Sequence, residues 1–376
     1  MNVLYFSPIR LLPKGHGNIA TVHQHILRLH ALGHKVHYVY LNEDCSSVEN
    51  LFCSQLFVDT FDVIENKANP QRDSQGYYCY DTKYFDGLGE KIRELCLLYS
   101  INVVICSYVF HSKIFEFVPK NILKILDTHD RMTDRHIFLR KNKIKDEFFS
   151  CTESDEIKYL SRADVIWARR DEETKFFNRI TQSKKAITVS HFDNPNFLSK
   201  KISQLRTIGF LASDNEVNYK MVISFIDEFV KQYKSNPIDV KLIIGGRVKN
   251  MFEARKECPL NAEVPVEMIG VVKEVEDFYK KVDAVVVPIV FGTGINVKMI
   301  EAMSFGVPIV STVNGIKGVD SRCQYHNAES LHELINLIWM LYRNPKDLIM
   351  LETLSKNIFD AFFQINSKSF DSCFRS

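Results

Sequence analysis

The sequence predicts an α/β protein built as two tandem doubly wound domains, and three observations carry that reading. Short β-branched runs alternate with longer stretches of helical period, the pattern of βαβ units on a parallel sheet. The pattern runs from the first residues to about residue 190 and starts again at Thr207. The chain has 376 residues, and at roughly 150 residues per domain two domains fit best.

In the first half the predicted strands are Val3 to Phe6, Lys35 to Leu41, Val103 to Ser107, Ile122 to Asp127, Val165 to Ala168 and Ala186 to Ser190. A helix of about Ala20 to Leu32 joins the first two, with Val22, Ile26 and Leu29 on one stripe and Gly33 as its stop. In the second half the strands are Thr207 to Leu211, Val240 to Ile244, Val266 to Ile269, Ala284 to Val287 and Ile309 to Ser311, each followed by a helical stretch. His191 to Lys201 reads as the linker. The expected domains are therefore residues 1–195 and 196–376, with the last helix expected to pack back on the first domain. Ligands of such sheets bind beyond the carboxyl ends of the strands, where helix N-termini present unpaired N–H groups.

Composition narrows the class. A hydrophobic fraction of 45% with 25% charged residues excludes a disordered chain and a fibrous repeat. Lys plus Arg number 48 against 46 acidic residues, so no basic field points to nucleic acid. The nine cysteines are odd in number, scattered and without a Cys-x-x-Cys pair, which suits reduced thiols better than a disulfide framework or a zinc site. No apolar run reaches the 18 or so residues that span a bilayer, and the start lacks the features of a signal peptide. A cytoplasmic protein is expected, with the inner face of the membrane as an alternative place of work.

The strongest local signal is the stretch Ala284 to Thr312: a strand, a glycine loop, a helix and another strand. Gly292 and Gly294 permit close backbone approach. Asn296 is the expected N-cap, so the free N–H groups around Val297 and Lys298 form an anion pocket, with Thr293, Gly294 and Ile295 before them as further donor-binding candidates. Lys298 adds a full positive charge, and Glu301 is placed to meet two vicinal hydroxyls of a ribose. Phosphate at a helix end with a carboxylate for sugar hydroxyls is what a nucleoside diphosphate requires. The plainer alternative is a tight turn in which Lys298 and Glu301 form a solvated i,i+3 pair.

The ordered set Gly245-Gly-Arg247, Val266 to Val272 with Gly270, Asp283 to Pro288, Gly292, Lys298, Glu301, Gly306-Val-Pro308 and Gly315 resembles the carboxyl domain of family 4 glycosyltransferases. That resemblance covers most of Thr207 to Gly318. It implies a GT-B fold of two Rossmann-like domains around an interdomain cleft, and a retaining enzyme. It also implies that Glu301 binds the donor ribose while the backbone before it holds the diphosphate. Where the family often has a second Glu, this chain has Thr293. Asn218 matches a branch of the family just after the first strand of the second domain, and Arg247 or Lys298 is then left with more of the phosphate charge.

In the first domain the resemblance continues through the glycine loop Gly15-His-Gly17, expected beside the donor phosphates, and through His129 in Asp127-Thr-His-Asp130. The resemblance implies that His129 contacts the donor sugar. Asp127 and Asp130 are expected to orient its ring, and Asp130, Arg131, Asp134 and Arg135 to shape the acceptor side. Two rival readings stand beside these. Gly15-x-Gly17-x-x-Ala20 is a dinucleotide fingerprint, though Ser7 to Lys14 separate it from its strand. Thr128-His-Asp is also a helix cap. Arg140 to Phe149 is a basic stretch ending in aromatics, read as peripheral membrane contact or as a solvated helix face.

The expected chemistry is transfer of a sugar from a nucleotide-diphosphate sugar to a saccharide or lipid-linked acceptor, with no metal and no separate cofactor. His129 and Lys298 are its catalytic candidates. A nucleotide-sugar epimerase, a nicotinamide enzyme and a non-catalytic nucleotide-binding relative are the competing classes.

Overall fold

Runs such as Val103-Val-Ile-Cys-Ser107 are buried along their whole length, and a strand apolar on both faces is stable only inside a parallel sheet covered by helices. The structure, a computed structural model, describes residues 1–11, 17–42, 57–66, 71–79, 81, 84–85, 87–143, 149–200, 202–257, 263–292 and 294–375. The chain divides into two compact units, Met1–His191 with Asn366–Ser376, and Phe192–Ile365.

In the first unit the strands are β1 (Asn2–Ser7), β2 (Lys35–Asn42), β3 (Thr60–Glu65), β4 (Val103–Ser107), β5 (Leu123–Asp127), β6 (Val165–Ala168) and β7 (Ala186–Thr188). They form one parallel sheet in the order β3-β2-β1-β4-β5-β6-β7. Its helices are α1 (Gly17–Ala31), α2 (Leu88–Leu98), α3 (Arg135–Lys141), α4 (Glu153–Ser161) and α5 (Asp171–Ile180), with a 3-10 segment at Val109–Glu116. The strand order reverses between β1 and β4, and a crevice opens at such a switch point above the carboxyl ends. The sequence pattern had not marked β3. It is an edge strand, largely half-exposed, and carries Asp62 and Glu65.

The second unit has β8 (Thr207–Leu211), β9 (Lys241–Gly245), β10 (Val266–Gly270), β11 (Ala284–Val287) and β12 (Ile309–Ser311), parallel in the order β10-β9-β8-β11-β12. Its helices are α6 (Glu216–Ser235), α7 (Val248–Arg255), α8 (Val275–Lys281), α9 (Val297–Ser304) and α10 (Leu331–Arg343). Helix α11 (Pro345–Ser372) follows, and its residues from Asn366 onward belong to the first unit. Asp283 ties β11 to β8: its carboxylate accepts from Arg206 N and Thr207 N, each at 2.9 Å, and from Lys200 Nζ at 2.8 Å. The segment expected as a linker docks on the second unit, with Asn196 N on Ser304 O at 2.8 Å and Leu198 N on Phe305 O at 3.0 Å. No helix is long and apolar enough to cross a membrane, among the described residues.

Candidate functional site

The site-bearing loops of the second unit follow β8, β9, β11 and β12. Gly246 takes a φ of +102°, and a Cβ there would lie 2.2 Å from Ala212 O, so only glycine lets the turn after β9 pass so close to that after β8. Arg247 follows at the start of α7. Its Nε lies 3.7 Å from Asp214 Oδ1, while its Nη2 is buried with no hydrogen-bond partner. An arginine nitrogen in that condition is a vacant donor for an anion. Asn218 is used locally: its Nδ2 donates to Ser213 O at 3.0 Å and Ser213 Oγ at 2.8 Å, closing the turn after β8.

After β11 the loop is pinned from β12. Thr312 Oγ1 donates to Ile289 O and Asn314 Nδ2 to Val290 O at 2.6 Å. Gly315 sits so tightly that a Cβ would meet Ser311 Oγ at 2.5 Å and Val287 Cγ1 at 2.7 Å. Gly294 takes a φ of +80°, the left-handed turn that precedes α9. Asn296 caps α9, its Oδ1 accepting from Lys298 N at 3.1 Å and Met299 N at 3.2 Å. One N–H group read from the sequence as part of an anion pocket, that of Lys298, is thus occupied by the cap. The start of α9 still brings Gly294, Ile295, Asn296, Val297, Lys298 and Glu301 within eight consecutive residues of chain. Thr293 lies outside the described residues.

Lys298 Nζ lies 3.1 Å from Glu301 Oε1 and 3.0 Å from Oε2. The Lys298 side chain is half-buried, while Glu301 is buried, only 8% exposed. Its Oε1 also accepts from Tyr279 Oη at 2.8 Å. Burial first, then the Glu301 charge, hold the Tyr279 phenol well above its usual range, so it remains a donor. Arg247 meets Asp214 and not this carboxylate.

The first unit gathers a different cluster beyond β4, β5 and β6. Asp127 ends β5 fully buried. Its Oδ1 accepts from Arg169 Nη2 and its Oδ2 from Tyr5 Oη at 3.2 Å, with His25 Nδ1 at 3.6 Å. His129 stands two residues on, at a φ of +60°. Its Nδ1 is 3.4 Å from Arg169 Nη2. Its Nε2 is 3.3 Å from Asp127 Oδ2, without the geometry of a hydrogen bond. The ring stacks on Tyr108 at 4.4 Å, and Tyr108 Oη accepts from Asn18 Nδ2 at 3.0 Å. Burial, then the Arg169 charge, push the His129 pKa well below its usual range, so the imidazole is neutral at physiological pH.

The neighbouring candidates turn elsewhere. Asp130 pairs with Arg135 at 3.1 Å. The guanidinium of Arg131 lies 3.6 Å over the Phe176 ring, its Nε buried without a hydrogen-bond partner. Asp134 accepts from Tyr77 Oη at 2.8 Å. Glu173 receives Arg169 N at 3.1 Å, and burial with the nearby Asp130 charge raises it to about 7. Helix α3 is entered through Asp134, so Thr128-His-Asp is not its cap. Gly17 is the first residue of α1, its carbonyl accepting from Thr21 Oγ1 at 2.9 Å. Gly15 lies outside the described residues, as do 144–148 of the basic stretch. No group of three or more His, Cys, Asp or Glu gathers as a metal site, among the described residues.

Sequence reading had missed Arg169, Tyr108 and Tyr279. Arg169 directly follows β6, where the strand-end rule directs attention. Tyr279 offered only a general signal, that a buried tyrosine hydroxyl needs a partner.

Residues 205–342 match the family described as glycosyl transferases group 1. No curated protein matches in sequence. A sucrose-phosphate synthase from Thermosynechococcus elongatus superposes with a TM-score of 0.70 at 13% identity, covering 100% of this chain and 98% of that one. A TarM variant from S. aureus, solved with fondaparinux, alpha-GlcNAc-glycerol and UDP, gives 0.69 at 10% identity over 100% and 99% of the two chains. HepE from Anabaena, solved with UDP, gives 0.67 at 14% identity over 100% and 98%. The protein is therefore similar to the glycosyl transferases group 1 family over residues 205–342, on a two-domain fold shared from end to end with GT-B glycosyltransferases.

Proposed function

We propose that the protein is a retaining glycosyltransferase of family 4 that moves a sugar from a nucleotide-diphosphate sugar to an acceptor hydroxyl, in polysaccharide or glycoconjugate assembly. The observation that supports this most is the half-buried Lys298–Glu301 pair at the capped start of α9. In this reading Glu301 accepts the ribose hydroxyls. Lys298, the backbone from Gly294 to Val297 and the vacant Nη2 of Arg247 meet the diphosphate. Neutral His129, fixed by Tyr108 and Arg169, faces the transferred sugar, with Asp130 and Arg131 on the acceptor side.

The bond that breaks joins the anomeric carbon to the diphosphate oxygen. The acceptor oxygen attacks on the same face, and its proton passes to an oxygen of the departing phosphate. Positive charge grows on the sugar and negative charge on the leaving group. Each well-aimed cationic or N–H donor is worth roughly 3 kcal/mol of barrier in a dry site. No separate cofactor enters this scheme. The acceptor is a saccharide or a lipid-linked saccharide, and peripheral membrane contact would accompany the second.

HepE was solved with UDP-glucose and TarM with UDP and alpha-GlcNAc-glycerol, so UDP-glucose and UDP-GlcNAc are the first donors to test. The expected outcome is release of free nucleotide with a product of retained anomeric configuration by NMR. Glu301→Ala should weaken nucleotide binding, and His129→Ala should slow turnover by roughly 100-fold while leaving that binding in place. Parent rates in both variants would sink the assignment. Binding of nucleotide with no donor consumed would point to a non-catalytic relative.

A further inference from the structure

A carboxylate has about four acceptor positions, two on each oxygen. On Glu301, Oε1 receives Tyr279 Oη at 2.8 Å and Lys298 Nζ at 3.1 Å, while Oε2 receives Lys298 Nζ at 3.0 Å. Two vicinal ribose hydroxyls need more than the single position this leaves. Lys298 is the holder that can let go. Of the two holders it lies nearer the helix start, at the second residue of α9, and is 29% exposed, and a diphosphate arriving there carries more charge than Glu301 does. Once its ammonium turns to phosphate, a carboxylate held only by Lys298 would be free to rotate about its last torsions.

Tyr279 has none of that freedom. It comes from α8, its ring is fully buried between Phe278 at 5.5 Å and Phe305 at 5.0 Å, and its hydroxyl also reaches Lys298 O at 3.3 Å. A neutral phenol feels little attraction to phosphate and so stays on the carboxylate when the lysine leaves.

We propose that Tyr279 is a positioning residue for nucleoside recognition: it keeps the Glu301 carboxylate in the orientation that accepts the ribose hydroxyls after Lys298 has turned to the diphosphate. This rests on the reading of Glu301 as the ribose-binding carboxylate. It gives the site a division of labour between a mobile charge that follows the phosphates and a fixed neutral donor that keeps the sugar contact.

The test compares dissociation constants of UDP, GDP and ADP with those of their 2′-deoxy counterparts, in the parent and in Tyr279→Phe. For the nucleotide bound best, the parent should prefer the ribose form by about 10- to 100-fold, the worth of a hydrogen bond to a charged acceptor. In Tyr279→Phe the ribose form should weaken toward the deoxy value, while deoxy binding stays at the parent level. That unchanged deoxy affinity also shows that the variant is folded. Retention of the parent's full ribose preference overturns the proposal. So does an equal loss for both nucleotides, the mark of a merely structural tyrosine. A parent that binds nucleotide without any ribose preference refutes the reading of Glu301 itself, a result distinct from either.

Discussion

At the scale of single residues, His129 and Tyr108 both hold a positive φ, +60° and +68°, Tyr108 with a ψ of +135°. For residues with a Cβ such sparsely populated backbone costs roughly 1 to 3 kcal/mol each, and it persists where surrounding structure over-determines it. What does so here is the bond from Tyr108 N to Asp127 O at 2.8 Å, the ring stacking, and the buried Asp127–Arg169 pair below. Removing one partner of such a pair strands the other charge. Asp127→Asn should therefore destabilise the first unit by about 3 to 5 kcal/mol in chemical denaturation, and a change under 1 kcal/mol would contradict the account. Sequence alone marked Asn296 as the cap of α9 and offered Lys298 on Glu301 as one alternative, since those partners lie within a few residues, but it left Lys298 N free where the cap in fact takes it. It could not show Tyr279 on Glu301 or Arg169 on Asp127, because only the packing of separate elements brings those partners together.

At the scale of elements, α9 is short, with eight residues, and a helix of that length depends on its cap and its tertiary contacts. Asn296→Ala removes the acceptor for two N–H groups and should cost about 1 kcal/mol, read as a melting temperature lower by about 2 to 4 °C. An unchanged melting curve would mean that Thr312 and Asn314, which pin the preceding loop, fix the helix start without the cap. The strands of the second unit were legible because each is a β-branched run flanked by turn residues. Strand β3 was not, because pairing with β2 alone at the sheet edge lets Asp62 and Glu65 remain half or fully exposed and breaks the apolar pattern that sequence reading relies on.

At the scale of the whole molecule, each unit carries at least one buried histidine held neutral. In the second, His326 is 2% exposed, with Nε2 on Ile309 O at 3.1 Å and Nδ1 on Ser321 Oγ at 2.7 Å. Burial lowers its pKa to about 4 from an ordinary value of 6.5. The unfolded chain then takes up the proton before the folded one does, so stability is full above pH 6.5 and is lost as pH falls toward 4. His326 alone should remove about 2 kcal/mol between pH 7 and pH 5. His25 and His129 act with the same sign in the first unit. The chain's two tryptophans, Trp167 and Trp339, fall one in each unit. Denaturation followed by fluorescence in Trp167→Phe reports the second unit, and equal midpoints at pH 7 and pH 5 would contradict the assignment.

The first unit is also completed from two distant stretches of chain. Phe370 packs on Trp167 at 4.9 Å and on His25 at 5.2 Å, and Asp371 forms a two-pronged bond with Arg28. A ribosome delivers Met1–His191 first, yet those aromatic faces wait for their cover until all of Phe192–Ile365 has been made, roughly 10 to 30 seconds at ordinary elongation rates. During that interval the nascent first unit displays an uncovered patch around Trp167 and His25. The last step of its folding is timed by translation and not by the speed of local pairing.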